Sequence, residues 1–254
     1  MFDGQTVKRI FPILKLIPLV VSVVVLTKPA SAQHNDATRL VKLFQTNRTF
    51  YSQFNNAKEI VALNDPSVLR ELEPSLKDDD RLVRGNAAFI FAALGDDRGF
   101  KIICEILKDH SSRRPGQGVG MACTSPTGCM QQEIRQDRYY AAHLLGDLKQ
   151  PRAVPILIPL LKDPDVQHIV PWSLAQIGDH EAVAPLIETL NDPNPDMRWL
   201  AIDAIETFKA KEALPQIRAL LTDDAHIHFD GGGLVSSKAK EAIEEMSSEK
   251  ASKQ

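Results

Sequence analysis

The stretch that decides the fold is Ala153–Val166, "AVPILIPLLKDPDV". A close copy follows at residues 182–197, "AVAPLIETLNDPNPDM", and a third begins at residue 213 with "ALPQIRALLTDD". In each copy the apolar residues recur at intervals of three and four, which is the spacing of one face of an α-helix. A helix written three times along one chain predicts a structure built from repeats.

A gapless frame of 25 steps extends this repeat to four units. Each unit starts at a position that is usually arginine, and an aspartate stands 25 positions later. The starting positions are Arg84, Arg138, Gln167 and Arg198, and the aspartates are Asp109, Asp163, Asp192 and Asp223. Twenty-five positions are enough for two short α-helices. We therefore predict that each unit is one helix pair with a short turn inside it.

The apolar columns of the frame predict how the pairs pack. The second helices carry three columns, which are Phe100, Val154, Val183 and Leu214; Ile103, Leu157, Leu186 and Ile217; and Leu107, Leu161, Leu190 and Leu221. The first helices carry small residues in one column, Ala87, Ala141, Val170 and Ala201, which would let two helices approach closely. Because one pair cannot bury its own apolar face, the units must stack. We therefore predict an all-α solenoid of stacked antiparallel helix pairs.

The chain divides into four segments on this basis. Residues 1–32 form a leader, residues 33–52 flank the stack, residues 53–246 form about five to six units, and residues 247–254 form a disordered tail. Two inserts interrupt the frame, at residues 110–136 and 225–237, and their Gly, Pro and Ser content predicts loops. Both follow a second helix, so both emerge on the same edge of the stack, where they either bind a ligand or only cover the stack.

The leader has the three parts of a secretory signal peptide. Lys8, Arg9 and Lys15 precede an apolar run of eleven residues, and Ala30-Ser31-Ala32 fits a small-residue cleavage site. Because eleven residues are too few for a membrane span, we expect Sec-type export to the periplasm or the exterior without stable membrane insertion. The alternative is an uncleaved N-terminal anchor.

Charge and cysteine content limit the partners and the compartment. Cleavage after Ala32 would remove four basic residues and one acidic residue, which lowers the net charge from −3 to −6. A mildly acidic protein lacks the basic face that nucleic acid requires, so we expect no nucleic-acid partner. In an oxidising compartment Cys123 and Cys129 would form a disulfide bridge, and Cys104, in an apolar helix, would be a buried free thiol.

The repeat residues resemble a known family. "DDDRLVRGNAAFIFAALGDD" at residues 78–97 and "AVAPLIETLNDPNPDMRWLAIDAI" at residues 182–205 are similar to bacterial-type HEAT repeats, a kind also found in phycobilisome-lyase-like proteins. The resemblance covers residues 53–246. It implies a protein that presents surfaces to partners, with the arginine of each unit bonded to the acidic turns between units.

Local exceptions to the repeat give two further expectations. Asp165 and Asp196 precede first helices and would cap them by accepting their free N–H groups. Pro171 lies inside a predicted first helix, where it lacks an N–H group and should introduce a kink.

A group of rings on the first helices predicts a docking surface. Two columns one helical turn apart would bring bulky amphipathic side chains together on neighbouring units, and such side chains are favoured where proteins dock. The residues of this predicted partner surface are Tyr139, His143, His168, Trp172 and Trp199. The alternative is that the insert at residues 110–136 folds over them and uses them as an anchor within the chain.

Catalytic and metal motifs are sparse. His226, His228 and Asp230 form an H-x-H-x-D pattern that would face one side of an extended segment, which makes them the candidates for a metal, although we expect neither metal nor cofactor. Nucleophile-elbow, zinc-protease and phosphate-loop motifs do not occur, so we assign no catalytic residue. We predict an exported scaffold or adaptor that binds a protein, not an enzyme, with its oligomeric state left open. The alternatives are a lyase-like enzyme or a metal-assisted hydrolase that uses the two inserts, and a spacer without a specific ligand.

Overall fold

The structure, a computed structural model, describes residues 30–47, 49–111, 126–229 and 232–248. These residues form helices and no strand, apart from an isolated antiparallel bridge between His226 and Leu234. The α-helices are α1 (Ala30–Thr46), α2 (Phe50–Leu63), α3 (Leu69–Leu72), α4 (Arg81–Ala93), α5 (Asp97–Lys108), α6 (Pro126–Leu148), α7 (Val154–Leu157), α8 (Val170–Ile177), α9 (Val183–Thr189), α10 (Pro195–Phe208), α11 (Leu214–Ala219) and α12 (Val235–Ser248). The 3-10 helices are Pro66–Val68, Glu73–Lys77, Pro151–Ala153, Ile158–Lys162, Gln167–Ile169, His180–Ala182, Lys211–Ala213 and Leu220–Thr222.

The helices form two layers, as the repeat predicts. Each first helix packs on the next one, so that α2, α4, α6, α8, α10 and α12 form a continuous row. The second helices pack against this row, as α5 does on α4 and α6. Helix α1, in the segment we expected only to flank the stack, packs on α2. The prediction of an all-α solenoid is confirmed.

The core lies between the layers and contains the predicted columns. Ile103, Leu157, Leu186 and Ile217 are fully buried, and so is the small-residue column of the first helices. Phe100 and Leu214 are only half-buried, and Leu221 is 44 % exposed. Leu221 belongs to the last second helix, and no further second helix follows within the described residues to cover it.

Small residues allow the helices to approach as closely as predicted. A Cβ atom on Gly99 of α5 would lie 2.1 Å from the carbonyl oxygen of Ala88 on α4. A Cβ atom on Gly146 of α6 would lie 2.8 Å from the Cα atom of Ser173 on α8. These distances are shorter than van der Waals contact, so both crossings require glycine.

Prolines make the helices less regular than predicted. The second helix at residues 151–162 is a single α-turn between two 3-10 helices, because Pro155 and Pro159 donate no backbone hydrogen bond. Pro171 does not kink a continuous α-helix, as we expected. A 3-10 helix ends at Ile169 and α8 begins at Val170, so Pro171 lies in the first turn, where an N–H group has no partner in any case.

The arginine column binds the acidic turns, with one change of residue. Arg138 donates to the carboxylates of Asp163 and Asp165, and Arg198 donates to Asp223 at 2.7 and 3.1 Å. In the first unit of the frame Arg84 donates instead to a backbone carbonyl of its own turn. Arg81, one helical turn earlier, takes the ion pair with the aspartate of that unit at 2.6 Å.

The predicted caps are wrong. The side chain of Asp165 accepts from Arg138, and that of Asp196 accepts from His228. Helix α10 is capped by Asn194, which accepts the Asp196 N–H at 3.0 Å. Both aspartates do lie at or just before the start of a first helix, as predicted. Their carboxylates, however, accept hydrogen bonds from Arg138 and from the loop that carries His228, and not from the helix ends.

The first insert is a loop only in part. Residues 126–136 belong to α6, because Pro126 suits the first turn of a helix and the residues after it include strong helix formers. Residues 112–125, with Cys123, and the side chain of Cys129 lie outside the described residues, so their disulfide bridge stays a prediction. Cys104 is free and half-buried, and burial raises the pKa of its thiol.

The predicted signal peptide lies almost wholly outside the described residues, which begin at Ala30. Within the described part of the chain, no helix combines the length and apolar character needed to cross a membrane.

Candidate functional site

A pocket of about 390 Å³ lies where α6, the 3-10 helix Gln167–Ile169 and α10 meet the loop before α12. We call it the Asp196 pocket. Its lining consists of Tyr139, His168, Asp196, Leu200, His228 and Phe229. This combination of rings and a leucine around one carboxylate and two imidazoles is typical of a small-molecule site, since apolar walls supply contact area and a few polar groups fix orientation.

Asp196 is the buried polar group of this pocket. It lies in the first turn of α10 and is 7 % exposed. Its Oδ1 accepts the backbone N–H of His228 at 2.7 Å, and both carboxylate oxygens lie 3.3 Å from His228 Nδ1. The Nε2 atom of His168 lies 3.9 Å from Oδ2. One carboxylate is therefore placed between two imidazoles.

The loop that carries His228 is fixed by its own backbone and by apolar contacts. The Ile227 N–H donates to the Gly233 carbonyl at 2.9 Å, and Val235 N–H donates to Ala225 at 3.2 Å. Ile227 is buried, and Phe229 packs edge-on against Trp199 with ring centroids 5.3 Å apart. The side chain of His228 is 76 % exposed. The predicted alternation is therefore incomplete, because Phe229 lines the same pocket as His228.

The metal candidates have separate environments. His226 Nδ1 lies 3.1 Å from the carbonyl oxygen of Gly232, whereas His228 faces Asp196. Asp230 lies outside the described residues. Among the residues that are described, no group of three His, Cys, Asp or Glu side chains has the arrangement of a metal site.

The five residues of the predicted partner surface lie on three successive first helices but fall into two groups. His143 stacks on Trp172 with centroids 4.4 Å apart. Tyr139 and His168 lie at the rim of the Asp196 pocket and are 36 % and 43 % exposed. Trp199 is half-buried behind the pocket. Of the five residues, Tyr139 and His168 are thus the exposed ones, and their role in binding a partner stays a prediction.

Sequence reasoning missed three lining residues, Asp196, Leu200 and Phe229. Asp196 was assigned to a helix cap, and Leu200 reads as an ordinary repeat position. The H-x-H pattern was the one available signal, but its partner Asp196 stands 32 residues away from His228. Neither the frame nor the motif indicates that pairing.

An ion cluster joins α12 to α10, the helix that carries Asp196 and Leu200 of the pocket. Lys238 of α12 is 8 % exposed and lies 2.8 Å from Asp203 and 2.9 Å from Glu206, both on α10. Burial alone would lower the pKa of Lys238, but hydrogen bonds to these two carboxylates raise it. Burial and a hydrogen bond with Glu245 raise the pKa of Glu206. The ammonium also lies 5.1 Å from the Trp199 ring centroid, so the cluster fixes the helix and ring on which Phe229 rests.

Comparison with known proteins identifies the repeats. Residues 130–192 match the protein-family model of HEAT repeats. This part of the chain is therefore similar to HEAT repeats. The resemblance predicted from the sequence is confirmed.

The curated relatives are named for bilin chemistry. The chain is 32 % identical over 150 residues to the bilin biosynthesis protein PecE of Mastigocladus laminosus, a match that covers 58 % of this chain and 50 % of the relative. It is equally identical to PecE of Nostoc sp., with 58 % and 53 % covered. It is 34 % identical over 102 residues to phycocyanobilin lyase subunit alpha of Picosynechococcus sp., with 36 % and 38 % covered. The chain spans about half the length of the PecE proteins.

These names overturn one prediction. We expected the chain not to be an enzyme, because its sequence carries no familiar catalytic motif. The relatives are by name a bilin biosynthesis protein and a lyase subunit, so that expectation is wrong. Function depends on sites placed on a fold, so the absence of a short motif was not a sufficient reason to exclude an activity.

Proposed function

We propose that the chain is a lyase-type subunit that binds a bilin in the Asp196 pocket. The bilin-related names of the relatives indicate the ligand class. The observation that indicates where the ligand binds is the buried carboxylate of Asp196 in a pocket lined by rings.

The chemistry of a bilin fits this lining. A bilin is a linear chain of four pyrrole-type rings, with N–H donors along one edge and conjugated, mostly apolar faces. A carboxylate is an acceptor only, so Asp196 can receive those N–H groups. Leu200, Phe229 and Tyr139 supply apolar and aromatic surface for the ring faces. A charge-assisted hydrogen bond to a buried carboxylate is stronger than one in water, which gives Asp196 an orienting role.

Titration of the purified protein with phycocyanobilin tests the proposal. Binding to an ordered site changes the visible absorption of the pigment, and the change gives a dissociation constant. We expect Asp196→Asn to weaken binding at least tenfold and Leu200→Ala to weaken it less. Glu188→Gln, on the exposed face of α9 in the other layer, is the matched control and should bind as the wild type does. Equal affinity of wild type and Asp196→Asn would contradict the site.

We propose further that the subunit works with a protein partner that contacts the pocket rim. One relative is by name a subunit, and Tyr139 and His168 are the exposed rings of the predicted partner surface. Trp172 and Trp199 are half-buried, so their replacement by alanine would also disturb packing. A photo-crosslinking residue at position 139 should therefore capture a partner in the native extract, and the same residue at position 188 should not. Equal capture from both positions would contradict a defined surface.

Export is the remaining part of the proposal. The basic, apolar and small-residue segments of residues 1–32 support Sec-type export and cleavage after Ala32. Amino-terminal sequencing of the protein from the fractionated host should therefore begin at Gln33. A protein retained in the cytoplasm with an intact leader would contradict this part without affecting the bilin site.

A further inference from the structure

One unit of the repeat lacks the arginine that the other units use. The frame has Gln167 at the position where its three other units have an arginine. The Gln167 side chain makes no hydrogen bond to the residues that the structure describes. The aspartate of this unit, Asp192, accepts the N–H of Asn194 at 2.8 Å but pairs with no cation in the described part of the chain. The unit therefore keeps the anion of the repeat without its guanidinium.

The preceding unit shows which groups a guanidinium binds at this place. Arg138 donates to the Leu107 carbonyl at 2.8 Å, and it also binds the carboxylates of Asp163 and Asp165. The positions that correspond to these three acceptors in the unit of Gln167 are Leu161, Asp192 and Asp196. This unit thus has the same acceptor positions, and glutamine cannot provide the charge that two carboxylates require.

A groove of about 570 Å³ is lined by two of these three acceptor residues. Asp196 accepts hydrogen bonds from His228 in its own pocket, whereas Leu161 and Asp192 line the groove. The groove lies between the second helices of two adjacent units, and the residues that line it differ from those of the Asp196 pocket. Its apolar wall consists of Ile158, Leu161 and three prolines. Its charged residues are Lys162, Glu188 and Asp192.

We infer that this groove binds free arginine through its guanidinium group. The guanidinium binds Asp192, as an arginine of the chain binds the aspartate in other units, because its planar donors match a carboxylate. The apolar stem of the ligand lies on the wall of prolines and Ile158. The site shares no residue with the proposed bilin site, so the two proposals are independent.

The other charges of the groove favour the free amino acid. Glu188 can bind its α-ammonium group and Lys162 its α-carboxylate. Lys162 makes no ion pair within the residues that the structure describes, so its ammonium is available. One lysine and two carboxylates give the groove a net charge of −1, which complements the +1 charge of arginine.

Isothermal titration calorimetry with L-arginine tests the groove. L-citrulline is the matched control ligand, because its ureido group has the shape of a guanidinium without the charge. We expect saturable binding of arginine and binding of citrulline that is weaker by about tenfold or more, since hydrogen bonds between charged groups are the strong ones. Asp192→Asn keeps an oxygen that can accept the Asn194 N–H, and it should weaken arginine binding by a similar factor. Asp224→Asn removes the same charge at an exposed position and should bind arginine as the wild type does.

A variant that restores the arginine of the frame provides a second test. In Gln167→Arg the new guanidinium should pair with Asp192, as Arg198 pairs with Asp223 25 residues later. Arginine binding should then be lost, and the melting temperature should rise by several degrees. Gln167→Met has a side chain of similar length without donors, and it should keep arginine binding and the wild-type melting temperature. The rise should be absent when Gln167→Arg is combined with Asp192→Asn.

The possible results separate this inference from its alternatives. Absence of saturable arginine binding, or equal affinities for arginine and citrulline, would overturn it. Undiminished arginine binding in both Asp192→Asn and Gln167→Arg would place the ligand elsewhere and overturn it too. N-acetylarginine methylamide represents an arginine within a protein chain, and binding as tight as that of free arginine would show that the ligand is a protein side chain instead. Asp192→Asn should bind phycocyanobilin like the wild type, so failure of either proposal leaves the other intact.

Discussion

At the residue scale, Arg138 joins three separate parts of the stack, since it lies on α6 and binds the end of α5 and the turn after Lys162. It is 2 % exposed, and its guanidinium donates to the Leu107 carbonyl at 2.8 Å and to the carboxylates of Asp163 and Asp165. Burial would raise the pKa of Asp163, but the hydrogen bond from Arg138 holds it below its ordinary value. A planar fork of donors suits this position, whereas an ammonium would satisfy fewer acceptors.

Replacement of Arg138 should therefore destabilise the protein strongly. Removal of Arg138 takes away the ion-pair partner of Asp163 and one ion-pair partner of Asp165, both partly buried, so we expect Arg138→Ala to lower the free energy of unfolding by about 3–5 kcal/mol. Urea unfolding followed by circular dichroism measures this loss. Arg135→Ala is the control on the same helix, because its side chain is 57 % exposed and pairs with Asp165 at the surface, and it should cost about 1 kcal/mol or less. Equal losses in both variants would contradict a special role for Arg138.

The aspartates of the turns between units predict an acid limit of stability. Hydrogen bonds from Arg198 hold the pKa of Asp223 below its ordinary value of 3.8, and the pKa of Asp109 is lowered in the same way by Ser111 and Arg81 against the effect of burial. A carboxyl with a depressed folded-state pKa stabilises the fold fully above its unfolded pKa, and this contribution is lost as pH falls through the folded value.

We therefore expect a melting temperature that is nearly constant from about pH 7 to 5 and that falls below about pH 4. Asp223→Asn should melt lower than the wild type at pH 7 and show a shallower fall in acid, because the titrating group is gone. Asp224→Asn, at the exposed neighbouring position, should keep the wild-type profile. Thermal melts between pH 7 and 2 make the comparison, and parallel acid limbs for wild type and Asp223→Asn would refute it.

At the element scale, the crossing of α4 and α5 depends on the absence of a side chain at Gly99. The added Cβ of Gly99→Ala would lie 2.1 Å from a backbone oxygen and 2.4 Å from a backbone nitrogen, and backbone atoms cannot rotate away. We expect a loss of about 1–3 kcal/mol in unfolding free energy, typical of overpacking. At Gly85 the nearest atom is the tip of Leu144 at 3.3 Å, and alanine favours a helix more than glycine does, so Gly85→Ala should cost much less. Chemical unfolding of the two variants decides between them.

The sequence predicted the helices whose apolar residues repeat at regular intervals. It did not predict features that depend on local composition or on contacts between distant residues. The second-helix columns were found because Ile103, Leu157 and Leu186 repeat at helical intervals and face one core. The helical start of α6 at Pro126 was missed, because the glycines and prolines before it dominate the composition of the insert. The Asp196–His228 pair was missed because it joins two elements 32 residues apart, and local patterns carry no information at that range.

At the scale of the whole molecule, the stack is a linear array, so a core defect should remain local. Leu157 is fully buried at the centre of the second-helix column, and Leu157→Ala should cost about 2–5 kcal/mol. Since each unit contacts only its neighbours, hydrogen exchange should accelerate in α6 and α8, which flank the defect, and change little in α1. Leu221 belongs to another column of the second helices and is exposed, so Leu221→Ala is the control and should leave hydrogen exchange unchanged in all helices. Faster exchange spread evenly from α1 to α12 in Leu157→Ala would show a single cooperative body instead, and a substitution near the Asp196 pocket would then be felt along the entire chain.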